Sequence, residues 1–140
     1  MKLTLLALAL GLASVTTTVA QQPVTLPATA QQFISKHHSK AKVSHVQRDR
    51  EDGQRTYEVF FENGDYIEFD AKGQWLEIKC RGSQVPASIM PTAMTQHLKA
   101  QHPNARVVKI ERERRYLVVE LANGIELIYD RNGNFKRYDD

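Results

Sequence analysis

The sequence predicts an α+β fold written as a tandem repeat, each copy a helix followed by a four-stranded antiparallel meander. Three observations predict it. The stretch FENGDYIEFDAKGQW at 61–75 returns as LANGIELIYDRNGNF at 121–135. A proline-led helical pattern precedes each copy. Between the Asn-Gly and Asp-x-x-Gly turns, apolar residues alternate with a period of two, the mark of half-buried strands.

The helices come first. Pro27 and Pro91, 64 positions apart, suit a first helical turn, where the missing N–H costs nothing. Ala30, Phe33, Ile34 and His37 follow at helical spacing, as do Met94, His97, Leu98 and Gln101. Pro103 ends the second helix, and Ser39 holds the matching place in the first. Both apolar stripes are narrow, so each helix needs a sheet to lean on.

Four strands follow each helix, expected over 43–48, 56–62, 65–70 and 75–79, then 107–112, 116–122, 125–130 and 135–138. Asn63 and Asn123 are only 60 positions apart, so the first half carries four extra residues around DREDGQR at 49–55. A longer hairpin loop is expected there.

The Asn-Gly turns set the register. A two-residue loop would scatter apolar residues over both faces. A three-residue loop, Glu62-Asn63-Gly64 with Gly in the left-handed position, instead puts Tyr57, Val59, Phe61, Ile67 and Phe69 on one face. The second half obeys the same choice with Leu117, Val119, Leu121, Ile125, Leu127 and Tyr129. Asp70 and Asp130 begin the next turns, which bring Trp75 and Phe135 beside Phe69 and Tyr129. The opposite face is expected to show Phe60, Tyr66, Leu76 and Ile78 in the first half and Tyr116, Val118, Ile128 and Tyr138 in the second. So much apolar and aromatic surface suits a partner-binding face, or a sheet that curls upon itself.

At 140 residues the chain is long enough for one core and too short for two independent domains. The first twenty residues read as a signal peptide, with Lys2, the apolar run LTLLALALGLASV and small residues before Gln21. Residues 21–140 remain as a single domain, with repeats at about 26–80 and 86–140. A periplasmic or secreted location is expected. The formal charge is +3, and acidic residues interrupt both basic stretches, which argues against a phosphate-tracking stripe and nucleic acid. The lone Cys80 offers neither a disulfide framework nor a metal cluster.

The pattern LP…FI…H…AKV…YEVFFENGDYIEFDAKGQWLEI, followed by VPASIMPTAM…HP.ARVVKIERERRYLVVELANGIELIYDRNGNF, resembles the PepSY-like periplasmic proteins of Bacteroidetes. The resemblance covers Leu26 to Asp140. It implies export and a fold like that of the beta-lactamase inhibitory protein. Some relatives are described as calcium-regulated, which brings in calcium as an expected alternative partner. No inhibitory residue of the distant cousin matches a position here.

No catalytic constellation accompanies the repeat. None of the serines sits in a Gly-x-Ser-x-Gly elbow. His37, His38, His45, His97 and His102 lack zinc-site spacing. The expectation is therefore a non-enzyme without cofactor or metal that grips an unidentified protein through its open sheet face, as an inhibitor or a sensor. The alternative is a calcium-responsive protein using Glu58, Glu68, Glu120 and Glu126, with turn carboxylates nearby. Glu58 faces Glu68 and Glu120 faces Glu126 in the three-residue-loop register, and no EF-hand spacing is present.

Overall fold

Eight antiparallel strands form one sheet whose hydrogen-bonded neighbours follow chain order, β1 through β8. The computed structural model describes residues 23–139. The expected signal peptide lies outside the described residues. Helix α1 (Ala28–His37) precedes β1 (Val43–Glu51), β2 (Gln54–Phe61), β3 (Tyr66–Asp70) and β4 (Trp75–Lys79). A short 3-10 turn at Ala87–Ile89 leads into α2 (Thr92–Gln101). Then come β5 (Val107–Arg112), β6 (Tyr116–Leu121), β7 (Glu126–Asp130) and β8 (Phe135–Asp139). Among the described residues, no helix is long and apolar enough to cross a membrane.

Both prolines stand one residue earlier than expected, capping the helices from outside: Pro27 precedes α1 and Pro91 precedes α2. Their extended ψ values of 146° and 145° feed the chain into each helix. Each helix stops where its cap N–H, on His38 or His102, bonds back to Ile34 or Leu98.

Register follows the three-residue turns. Phe60 pairs with Tyr66 and Val59 with Ile67, while Gly64 sits at φ +91°. Gly124 does the same at +89°. The four extra residues of the first half do not make a loop. They lengthen β1 and β2, which close on the two-residue turn Asp52-Gly53 with positive φ at both positions, the geometry that matches strand twist.

One face of the sheet meets both helices. Ala30, Met94 and Leu98 pack there against Val59, Phe69, Val119 and Leu127, and the Phe33 ring stands edge-on to Phe69 at 5.7 Å. Ile67, Phe69, Leu121, Leu127 and Tyr129 have no exposed surface. Burial of each such side chain contributes roughly 1.5–3 kcal/mol.

Two β-bulges correct the expected faces. β4 slips by one residue against β3, so Phe69 faces Trp75 while Ile67 faces Ile78. Ile78, expected on the outer face, is therefore only 1% exposed and belongs to the core. The same slip between β7 and β8 pairs Leu127 with Tyr138. Tyr138 thus points to the helix side, where its hydroxyl meets His102 Nε2 at 2.9 Å. An extra residue in one strand swaps the faces of all that follow it. Ile125, expected in the core stripe, lies at the open end of the sheet and is exposed.

Candidate functional site: the uncovered sheet face

Opposite the helices, the sheet shows alternate residues of each strand. Phe60, Tyr66, Leu76 and Val118 are half-buried there, Tyr116 is exposed, and Ile128 is shielded by its neighbours. Ile78 and Tyr138 are absent from this face for the reason given above. Of the remaining six, Leu76 stands at the β4 bulge and the other five fall into two groups. Phe60 and Tyr66 are adjacent on β2 and β3 with ring centroids 5.2 Å apart, and His45 stacks on Phe60 at 4.5 Å. Val118 and Ile128 pair across β6 and β7, and Tyr116 lies further along β6.

Between the groups runs an acidic row. Glu58 faces Glu68, Glu68 faces Glu77, and Glu77 faces Glu111, so β2 through β5 carry glutamate at one register position. The Tyr66 hydroxyl donates to Glu68 Oε2 at 2.8 Å and lies 3.4 Å from Glu58 Oε1. Burial, the bond to Glu68 and the surrounding glutamates hold that phenol well above its ordinary range. Burial also pushes the Glu68 carboxyl up. The Tyr66 bond opposes this, but repulsion from Glu51 and Glu77 reinforces it. Lys79 reaches Glu77 at 3.3 Å, and Lys109 lies 3.7 Å from both Glu77 and Glu111.

The pairs Glu58–Glu68 and Glu120–Glu126 form as the turns dictate. They do not converge, because β4 and β5 lie between them. Among the described residues, no group of three or more His, Cys, Asp or Glu is arranged to hold a metal ion. Glu77, Glu111, Lys79, Lys109 and His45 escape sequence reasoning. The bulge in β4 moves Glu77 onto this face, and the β4–β5 ladder that aligns Glu111 joins two stretches far apart in the sequence.

A second polar constellation sits at the end of β3. Asp65 is 1% exposed and accepts bonds from His38 Nε2, Asn63 Nδ2, the Arg81 and Gly82 N–H groups and the Ser83 hydroxyl, all at 2.6–3.0 Å. Burial alone would raise its carboxyl; the bonds outweigh burial and hold it below the usual range. Its role is to tie α1, the Asn-Gly turn and the segment leaving β4 together. A cleft of about 230 Å3 opens beside it, lined by His37, His38 and Ser83 among others. Cys80 is buried, and desolvation lifts its thiol to about 11, so it is not a reactive thiolate at neutral pH.

A family model described as "Putative beta-lactamase-inhibitor-like, PepSY-like" matches residues 55–137. The chain belongs to this PepSY-like family. Three solved structures share the PepSY-like chain's fold across nearly their whole length. A "putative calcium-regulated periplasmic protein" of Bacteroides thetaiotaomicron is 37% identical over 85% of this chain and 96% of its own, with a TM-score of 0.79. Two periplasmic proteins of Bacteroides vulgatus are similar to it. One is 36% identical over 85% of this chain and 96% of its own, at TM-score 0.78. The other is 34% identical over 86% and 97%, at 0.80. No curated protein matches the PepSY-like chain.

Proposed function

We propose that this PepSY-like protein is an exported, periplasmic, non-enzymatic binding module that docks another protein on the sheet face its helices leave uncovered. One observation carries the reading: both helices pack on the same side, and the other side holds Phe60, Tyr66, Leu76, Val118 and Tyr116 with no element over them among the described residues. Aromatic rings with polar edges are the usual anchors of protein interfaces. The family's inhibitor-like description and the periplasmic relatives support this. Leading residues read as a signal peptide, and two helix-plus-four-strand copies, complete the reading.

The test is capture of partner proteins from a periplasmic extract by wild type and by the Phe60→Ser/Tyr66→Ser variant. The variant is expected to lose at least tenfold in capture while keeping its melting temperature within a few degrees. Undiminished capture would end the reading.

A second reading, calcium response, is favoured by the carboxylates gathered round Tyr66 together with the description of the Bacteroides thetaiotaomicron relative. Calcium takes six to eight oxygen ligands, so binding would require water or a partner to complete the shell. Calorimetry with calcium chloride up to millimolar concentration separates the readings. A flat trace is expected; a saturable one that Glu58→Gln/Glu68→Gln abolishes would favour calcium.

A further inference from the structure

We infer that the occupant of the uncovered face is a basic protein segment that lays an arginine or lysine side chain over Phe60 and Tyr66, against Glu58 and Glu68. The inference rests on the docking reading and adds the partner's chemistry.

Like charges directly opposite one another destabilise a sheet, and four glutamates in register across β2–β5 repeat that cost at each strand pair. At the β4–β5 end the chain answers with its own cations. Lys109 bridges Glu77 and Glu111 at 3.7 Å, and Lys79 reaches Glu77 at 3.3 Å with its ammonium 5.9 Å from the centre of the Tyr66 ring. At the β2–β3 end, among the described residues, no lysine or arginine forms an ion pair with Glu51, Glu58 or Glu68. That end also carries the ring pair, whose Tyr66 ring is approached by Lys79 from the β4 side.

Lys79 therefore displays the complementary group: a cation held by a carboxylate beside an aromatic ring. A guanidinium fits such a place best, since its planar fork can meet carboxylates while its face stacks on a ring. The whole chain carries +3, so the acidic row is a local exception. A basic partner is drawn to this row despite the net positive charge of the chain, which orients its approach.

The probes are hexa-arginine and hexa-glutamate peptides and calcium chloride, each titrated calorimetrically into the purified protein at low and high salt. Hexa-arginine is expected to bind, with affinity falling at least tenfold in Glu58→Gln/Glu68→Gln and less than twofold in Glu62→Gln, a turn residue. Hexa-glutamate is expected not to bind. Equal hexa-arginine affinity in wild type and the double variant overturns the inference. So does saturable binding of calcium alone that the double variant loses, which would make the carboxylates a metal site. Self-association abolished by the double variant also overturns it, a second copy then being the occupant. In the extract experiment, capture that needs Phe60 and Tyr66 but not Glu58 and Glu68 overturns this inference and leaves the docking reading standing. Capture indifferent to the rings removes the docking reading itself.

Discussion

Asp65→Ala is expected to lower folding stability by about 3–5 kcal/mol, the range for removing one partner of a buried charged network. The substitution strands two backbone N–H groups, on Arg81 and Gly82, along with the His38, Asn63 and Ser83 donors. Each orphaned buried donor costs about 1–3 kcal/mol, softened where water enters. Urea denaturation followed by Trp75 fluorescence measures the loss. A decrease below about 1 kcal/mol would mean that water replaces the carboxylate, and that the tie between α1 and the segment leaving β4 is dispensable.

The same carboxyl gives the stability a pH dependence of known sign. Its folded pKa is depressed. Its contribution is therefore complete above the unfolded value of about 3.9 and is lost as pH falls through the lower folded value. Glu68 works the other way: its folded pKa is raised, so its contribution is present below about 4.3 and is lost as pH rises. The Asp65 effect is cleanest in a Glu68→Gln background. There, stability should fall more steeply with acid than in Glu68→Gln/Asp65→Asn.

Gly133→Ala and Gly124→Ala form a matched pair with unequal expected costs. Both glycines hold φ near +90°, so an alanine at either pays about 1–2 kcal/mol for the left-handed backbone. At Gly124 a new Cβ meets nothing within 4 Å, whereas at Gly133 it would lie 2.5 Å from Pro91 Cβ and 3.1 Å from the Met94 N. Overpacking adds about 1–3 kcal/mol where neighbours cannot yield. Gly133→Ala should thus lose roughly twice the stability of Gly124→Ala or more. Equal losses would show that α2 rides loosely on the β7–β8 turn. Gly73 makes the corresponding approach to Ala30, so both helices are seated on an Asp-x-x-Gly turn.

The parts of this molecule governed by local chemistry were legible in its letters. Asn63-Gly64 and Asn123-Gly124 marked the turns, and the apolar stripes on either side selected three-residue loops, which fixed which residues of β2, β3, β6 and β7 face the helices. The family resemblance rested on the same turns. Features that depend on where strands slip were hidden. Strict alternation from Trp75 would put Glu77 on the core side and Leu76 and Ile78 outside, and only the β3–β4 ladder shows the bulge that buries Ile78 and turns Glu77 to the uncovered face. Tyr138 was misplaced for the same reason.

The extra residues around Asp52-Gly53 looked like a loop because Asp, Gly and Arg are loop-rich. Ladder hydrogen bonds prevailed over composition, since the Asp-Gly pair suits a tight hairpin. Asp65 went unnoticed because its donors come from segments far apart in sequence. Its counterpart Ile125 offered the one available hint, a carboxylate and an aliphatic residue at equivalent places. On the uncovered face, Phe60 and Tyr66 were found from alternation alone, while the glutamate row needed the β4–β5 ladder that joins the halves.

That ladder holds only three residue pairs, Glu77–Glu111, Ile78–Ile110 and Lys79–Lys109, yet it completes a sheet in which every strand bonds to its predecessor. Such wiring has a kinetic meaning. Neighbour-only pairing keeps most contacts short in sequence, and chains of that kind cross their folding barriers faster than sheets assembled from distant strands. The protein can zip from either hairpin outward, and pulled by its ends it would unzip from β1 and from β8, with the three-pair seam as the last rung to carry both halves.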